Sequence, residues 1–205
     1  MIEVELKFEL LPTSRPQLKE QFATMQFARR LRNSDTYYDT PGFDLLSQAV
    51  FVRVRNHLQL EFKFNEQAAP AHIQSTERTF PLMPEPRQAE EMNALFSRFL
   101  SWWHSARTVE EALCRNGLIE LAHIENRRVQ YTHGNLVICV DQVEGLGEFV
   151  EIEMQCEEGS DTHQAVAQVQ DLAAGFAAQQ VRVGYVELWL QKYYPQAYRR
   201  GKYHE

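Results

Sequence analysis

The chain has 205 residues, 44% of them hydrophobic and 24% charged, with a formal net charge of −7 at pH 7. That is enough chain for one domain with a sizeable core, too apolar for a disordered protein and too acidic for a general nucleic-acid binder. No apolar run approaches the roughly 18 residues needed to cross a bilayer, and Met1-Ile2-Glu3-Val4-Glu5 lacks the basic head and apolar core of a secretory signal.

Cys114, Cys139 and Cys156 are scattered and odd in number, so neither a disulfide framework nor a zinc site is expected, and a cytoplasmic protein without membrane contact is the natural reading. The chain shows no internal repeat. Residues 65–72 and 81–86 read as loops, too short to separate domains, so a single domain over 1–205 is expected.

In chain order, Ile2 to Phe8 opens with strict alternation. Ile2, Val4, Leu6 and Phe8 share one face, and Glu3, Glu5 and Lys7 the other. Arg15 to Ala28 follows Thr13 and Ser14, both suited to cap a helix, and Pro16 suits its first turn. Arg29, Arg30 and Arg32 form a basic cluster, expected to be a solvated face. Tyr37 to Thr40 reads as a strand end and turn.

Phe51 to Arg55 alternates again, with Arg53 and Arg55 opposite Val52 and Val54. Leu60 to Phe64 sets Glu61 and Lys63 opposite Leu60, Phe62 and Phe64. Thr76 to Phe80 carries Glu77 on the same side as Thr79. Arg87 to Trp103 places Met92, Leu95, Phe96, Phe99, Leu100 and Trp103 at helical spacing, with Trp102 and Trp103 expected in the core. Val109 to Arg115 predicts a short helix stopped at Asn116-Gly117. Arg127 to Thr132 and Leu136 to Asp141 flank His133-Gly134-Asn135, a hairpin signal. Arg128 is expected on the inner face and Arg127 in solvent. Val150 to Met154 alternates with Glu151 and Glu153 on its polar side, and helices are predicted over Thr162 to Ala178 and Tyr185 to Tyr194.

A solvent-facing strand usually mixes Thr, Ser, Gln and Lys. Here the polar faces are almost wholly Glu, Lys and Arg. Closing such strands into a barrel would gather these side chains inside and leave the apolar faces to be covered by helices. Charges enclosed in that way are costly unless they pair or bind something. The carboxylates of Glu3, Glu5, Glu61, Glu77, Asp141, Glu151 and Glu153 suit a hard divalent cation, Mg²⁺ or Mn²⁺. Lys7, Arg53, Arg55, Lys63 and Arg128 suit phosphate oxygens. Together they predict a small-molecule polyphosphate as the ligand.

The motifs that carry these charges resemble those of a known family. Glu3-Val4-Glu5-Leu6-Lys7 is similar to the Glu-x-Glu-x-Lys start of CYTH proteins, the triphosphate tunnel metalloenzymes. Tyr37-Tyr38-Asp39-Thr40-Pro41, Arg53-x-Arg55, Glu61-x-Lys63, Arg128-Val129-Gln130-Tyr131 and Glu151-x-Glu153 follow in matching order. Tyr185 to Tyr198, and Leu45-Leu46 after Pro41, resemble the thiamine triphosphatases of that family.

The resemblance implies an α+β fold: an eight-stranded antiparallel β-barrel with a charged interior and helices outside. It implies a metal-dependent hydrolase of thiamine triphosphate. Inorganic triphosphatase, adenylate cyclase and non-catalytic polyphosphate binder are its alternatives. By position, Glu3, Glu5, Asp141, Glu151 and Glu153 would hold the metal, and Glu3, Glu5, Lys7, Glu151 and Glu153 would form the catalytic set. Lys7, Arg53, Arg55, Lys63 and Arg128 would bind substrate, with Glu61 and Glu77 in the same lining. The family carries a lysine near the start of the last helix, where this chain has Tyr185 or, in another register, Val183. Arg182 is the candidate substitute.

Overall fold

The computed structural model describes residues 1–11, 20–65, 74–174 and 179–202. Nine strands lie within them: β1 (Ile2–Glu9), β2 (Gln26–Asp39), β3 (Phe51–Arg55), β4 (Gln59–Phe64), β5 (Gln74–Pro81), β6 (Ile119–His133), β7 (Leu136–Val143), β8 (Gly147–Cys156) and β9 (Gln179–Val181). The helices are α1 (Pro86–Phe99), α2 (Val109–Arg115), α3 (His163–Ala173), α4 (Tyr185–Tyr193) and α5 (Pro195–Tyr198), with a 3₁₀ turn at Leu46–Gln48.

The strand order is β5-β4-β3-β2-β6-β7-β8-β1, and β1 pairs back onto β5 through Ile2↔Thr76 and Glu3↔Ser75. The ladder of eight strands therefore closes on itself as an antiparallel barrel, as the alternation predicts. The short β9 adds to β1 from Lys7↔Val181 to Glu9↔Gln179.

The chain divides into two compact units. The first comprises Met1–Asn33, Glu66–Thr76 and Glu125–Tyr185; the second comprises Ser34–Asn65, Glu77–Ile124 and Val186–Glu205. In the first, Val4, Leu6 and Phe8 of β1, Leu136 and Ile138 of β7, and Val150, Ile152 and Met154 of β8 bury against Ala165, Val169 and Ala173 of α3. In the second, Val52, Val54, Leu60, Phe62 and Phe64 bury against Met92 and Phe96 of α1 and Val109, Ala112 and Leu113 of α2. Each core thus takes the apolar side of its strands and covers it with helices. The charged side is the opposite one, inside the closed sheet.

Local signals explain the boundaries. Pro86 opens α1, and the Glu85 N–H donates to Gln88 Oε1 at 3.0 Å, half of a capping box. Thr108 Oγ1 accepts the Glu111 N–H at 3.1 Å to cap α2, and Gly117 beyond its end has φ 62°. The β6–β7 hairpin pairs His133 with Leu136 across Gly134-Asn135, and Gly134 takes φ 59°, which favours glycine there.

Several expectations need correction. Residues 20–22 are helical, but β2 begins at Gln26, so a helix does not continue to Ala28; residues 15–19 lie outside the described ones. Tyr37 to Asp39 is the end of a 14-residue strand, whose polar and charged first half shows no apolar alternation. Helix α1 stops at Phe99, Trp103 stacks on Phe96, and Trp102 is 45% exposed rather than in the core. The prolines at the expected 81–86 loop sit at its borders, Pro81 ending β5 and Pro86 beginning α1.

Candidate active site: two charged sheet faces

In the first unit, three cross-strand ladders fix the site. Lys7 pairs with Glu151 and Glu5 with Glu153 between β1 and β8. Cys139 lies opposite Glu151 across β7 and β8, and Asp141 opposite Arg128 across β6 and β7. Because side chains alternate, Glu3, Glu5, Lys7, Arg128, Cys139, Asp141, Glu151 and Glu153 all share the face away from the apolar core. Asp141 is wholly buried, and Glu3, Lys7, Glu151 and Glu153 are buried beside it.

Arg128 is the hub. Its Nε donates to Asp141 Oδ1 at 2.8 Å and its NH2 to Asp141 Oδ2 at 2.6 Å, a two-pronged pairing, and NH2 also donates to Glu151 Oε2. Lys7 Nζ reaches Glu151 Oε1 at 3.0 Å, Glu5 Oε1 at 3.3 Å and the Val183 carbonyl at 3.5 Å. Burial alone would raise the Glu151 carboxyl, but Lys7 and Arg128 outweigh it and hold it below the usual carboxylate range. Arg127 is exposed, as its place on the alternate side of β6 requires.

Tyr185 joins this network from the first residue of α4. Its hydroxyl donates to Asp141 Oδ2 at 2.7 Å, its ring lies under the Lys7 ammonium at 4.5 Å, and it packs edge-on against Phe149 at 5.1 Å. Burial and the carboxylates of Glu151 and Asp141 push its phenol well above the usual value, so it stays a proton donor. Arg182 is exposed and makes no substitute for a buried cation at this point.

In the second unit, Asp35 pairs with Arg55, Tyr37 with Arg53, and Arg53 with Glu61 across β2, β3 and β4. Arg55 Nε donates to Asp35 Oδ1 at 2.8 Å and its NH2 to Asp35 Oδ2 at 2.7 Å. Arg53 donates through Nε to Glu61 Oε2 at 2.7 Å and through NH1 to Asp35 Oδ2 at 3.2 Å and the Tyr37 hydroxyl at 3.0 Å. Glu61 Oε1 accepts from Gln59 at 2.5 Å, and Lys63 lies 3.6 Å from Glu77. Burial would raise the Glu61 carboxyl, yet Arg53, Arg55 and its hydrogen bonds hold it lowered. Asp39 belongs to the fold rather than to this network: its buried carboxylate accepts the N–H groups of Thr40, Leu45 and Leu46 and shapes the turn after β2.

The structure thus brings Glu3, Glu5, Lys7, Arg128, Asp141, Glu151 and Glu153 onto one face of the first unit, and Arg53, Arg55, Glu61, Lys63 and Glu77 onto one face of the second. Three members escaped the sequence reading. Asp35 and Tyr37 sit in β2, whose alternation is hidden by its polar first half. Their spacing of two is visible only once the strand is known. Tyr185 stood out only as a departure from a lysine.

Among the described residues, no three Asp, Glu, His or Cys side chains converge closely enough to hold a metal ion as they stand. The donor set nevertheless fits a hard divalent cation. Among the described residues, Glu3, Glu5, Asp141, Glu151 and Glu153 share the first unit's charged face with Lys7 and Arg128, and Glu5 and Glu153 lie directly opposite each other. Asn126, two residues before Arg128 on the same face, is buried and its Oδ1 has no hydrogen-bond partner.

Charged side chains on the inner side of the closed strand ladder, with the apolar side chains under helices, define an α+β barrel with charged inner faces. The CYTH domain model matches residues 1–185, and the chain belongs to that family. A comparison with curated proteins gives no match. Among solved structures, the PH1819 protein of Pyrococcus horikoshii OT3 is 24% identical, with 93% of this chain and 99% of that one covered and a TM-score of 0.67. A putative adenylate cyclase from Vibrio parahaemolyticus is 16% identical over 92% of this chain and 98% of its own, with a TM-score of 0.59. A Hippeastrum protein, a putative adenylyl cyclase with a dominant triphosphatase activity, is 18% identical over 92% of this chain and 93% of its own, with a TM-score of 0.57. At these identities the likeness is one of fold. Among the described residues, no helix is long and apolar enough to cross a membrane.

Proposed function

We propose that the chain is a divalent-cation-dependent triphosphatase whose substrate is thiamine triphosphate. The observation that carries the hydrolase reading is the excess of buried carboxylate over cation around Lys7 and Arg128, a combination suited to a cation and phosphate oxygens together. Membership of the CYTH family and the triphosphatase activity of the Hippeastrum protein agree with it. The tail from Tyr185 to Tyr198 supports the thiamine ester as substrate. Inorganic triphosphate is the second reading, favoured by a tyrosine at position 185 and an exposed Arg182, which leave no described lysine there to serve a substrate end.

Glu3, Glu5, Asp141, Glu151 and Glu153, the carboxylates of this face, would hold the ion. When bound, Mg²⁺ or Mn²⁺ would neutralise charge on the phosphate oxygens. Lys7 and Arg128 orient phosphate oxygens in the first unit, and Arg53, Arg55 and Lys63 offer the same chemistry in the second. Glu151, held ionised by Lys7 and Arg128, keeps those two cations in place for the phosphate oxygens, and a carboxylate of the same face would position the attacking water.

A phosphate-release panel tests this reading. Thiamine triphosphate, inorganic triphosphate, ATP and GTP are each assayed with Mg²⁺, Mn²⁺ and Ca²⁺, and cyclic nucleotide is measured alongside. Cation-dependent phosphate release is expected, greatest with thiamine triphosphate, and a Glu3→Ala, Glu5→Ala double variant should lose about 10³-fold or more. Full activity in that variant, or cyclic AMP as the main product, rejects the proposal.

A further inference from the structure

Asp141 is enclosed by protein hydrogen-bond donors. Its carboxylate has no solvent exposure, Oδ1 accepts Arg128 Nε, and Oδ2 accepts both Arg128 NH2 and the Tyr185 hydroxyl. The same bonds fix Arg128. Nε and NH2 are spent on Asp141 and Glu151, and among the described residues no bond uses NH1, which leaves one edge of the guanidinium for an incoming anion. Tyr185 also carries the Lys7 ammonium on its ring, while its own ring is held by Phe149. One side chain therefore braces both cations of this face.

We infer that Tyr185 is a positioning residue that, through Asp141 and through its own ring, aims Arg128 and Lys7 at the triphosphate. This rests on the triphosphatase reading for the identity of the anion. It assigns Tyr185 a role of its own, by which a phenol at the start of α4 organises the cations already present instead of adding another. A planar fork held by a bidentate carboxylate loses little freedom on binding phosphate, so releasing the brace should weaken anion binding without touching the cation site.

The experiment measures two bindings separately on the full chain by calorimetry: inorganic triphosphate without metal, and Mn²⁺ without triphosphate. The variants are Tyr185→Phe, Asp141→Asn, their double, and Glu5→Gln. Tyr185→Phe retains the ring and its packing, and remains informative if Asp141→Asn fails to fold.

Tyr185→Phe and Asp141→Asn should each weaken triphosphate about tenfold, and the double variant should be little worse than either single, because both act through one network. Mn²⁺ affinity should stay within about twofold of the parent in Tyr185→Phe, and fall about tenfold or more in Glu5→Gln. Loss of Mn²⁺ binding in Tyr185→Phe comparable to that in Glu5→Gln, or unchanged triphosphate binding in Tyr185→Phe, overturns the inference alone. A parent protein that binds no triphosphate overturns the functional reading, and this inference with it.

Discussion

The two units solve the same local problem with different charge balances. In each, an aspartate grips an arginine through both oxygens, Asp141 with Arg128 and Asp35 with Arg55, and a tyrosine hydroxyl completes the arrangement, Tyr185 on Asp141 and Tyr37 on Arg53. Beyond that shared device they part. On the second unit, Arg53, Arg55 and Lys63 meet Asp35, Glu61 and Glu77, and the pairing is even. On the first, Lys7 and Arg128 meet Glu3, Glu5, Asp141, Glu151 and Glu153. A balanced face can be stable by itself, while an acidic surplus held out of water is strained until positive charge arrives. The first unit is therefore where a cation would matter most.

The strongest way to break this contrast is at Asp35. Asp35→Ala strips Arg55 of its fork partner and Arg53 of one acceptor, leaving two guanidinium groups in partly buried positions. Removing one partner from a buried pair typically costs about 3 kcal/mol or more. A fall of that size in urea-melt stability is the expected outcome. A change under about 0.5 kcal/mol, the usual size of a surface substitution, would show that the second face is not held together by its own pairs.

Arg128→Lys asks whether geometry or charge matters on the first unit. Lysine keeps the charge but loses the planar fork on Asp141 and the simultaneous bond to Glu151. The triphosphate KM should rise about tenfold with a smaller change in kcat, since what is lost is orientation of a binding group. A KM that stays put would mean a point charge suffices there.

Acidification probes the second unit. Burial opposes ionisation of Glu61, but Arg53 and Arg55 leave its folded carboxyl below the 4.5 of the free group. A lowered folded value means the ionised carboxylate stabilises the native state. That contribution is complete above pH 4.5 and is lost as pH falls through the folded value. Stability measured from pH 6 down to pH 3 should therefore drop in the parent, and the drop should be shallower in Glu61→Gln. Equal slopes in the two proteins would remove Glu61 from the acid response.

How much of this the sequence shows depends on the strand. β1, β3, β4 and β8 are legible because each alternates apolar residues buried at one core with charges on the other side, so Glu3, Glu5, Lys7, Arg53, Arg55, Glu61, Lys63, Glu151 and Glu153 could be placed before any coordinates. β2 is not legible: Arg29, Arg30, Arg32, Asn33 and Ser34 give no apolar period, since the first half of that strand is exposed and nothing selects hydrophobic residues there. Asp35 and Tyr37 were lost with it. The partners of a charge are hidden for another reason. That Asp141 answers to Arg128 and Tyr185 follows from register across three elements, and register is a property of pairing that composition does not carry. The family resemblance located Asp141 but not its partners: both of its oxygens accept bonds from protein donors.

The smallest effect is the most discriminating. Glu153 lies directly opposite Glu5, and like charges facing each other across an antiparallel pair are destabilising by roughly 0.2–1 kcal/mol. Glu153→Gln keeps the shape and removes one of the two charges. If the first face is an acidic surplus waiting for a cation, the variant should be as stable as the parent or slightly more so without metal, and should gain less on adding Mg²⁺, because binding contributes stability in proportion to affinity. Thermal melts with and without Mg²⁺ measure both quantities. An equal loss of stability in the two conditions would mean that the Glu153 charge stabilises this face without a bound cation, and the asymmetry between the faces would be one of residue count alone.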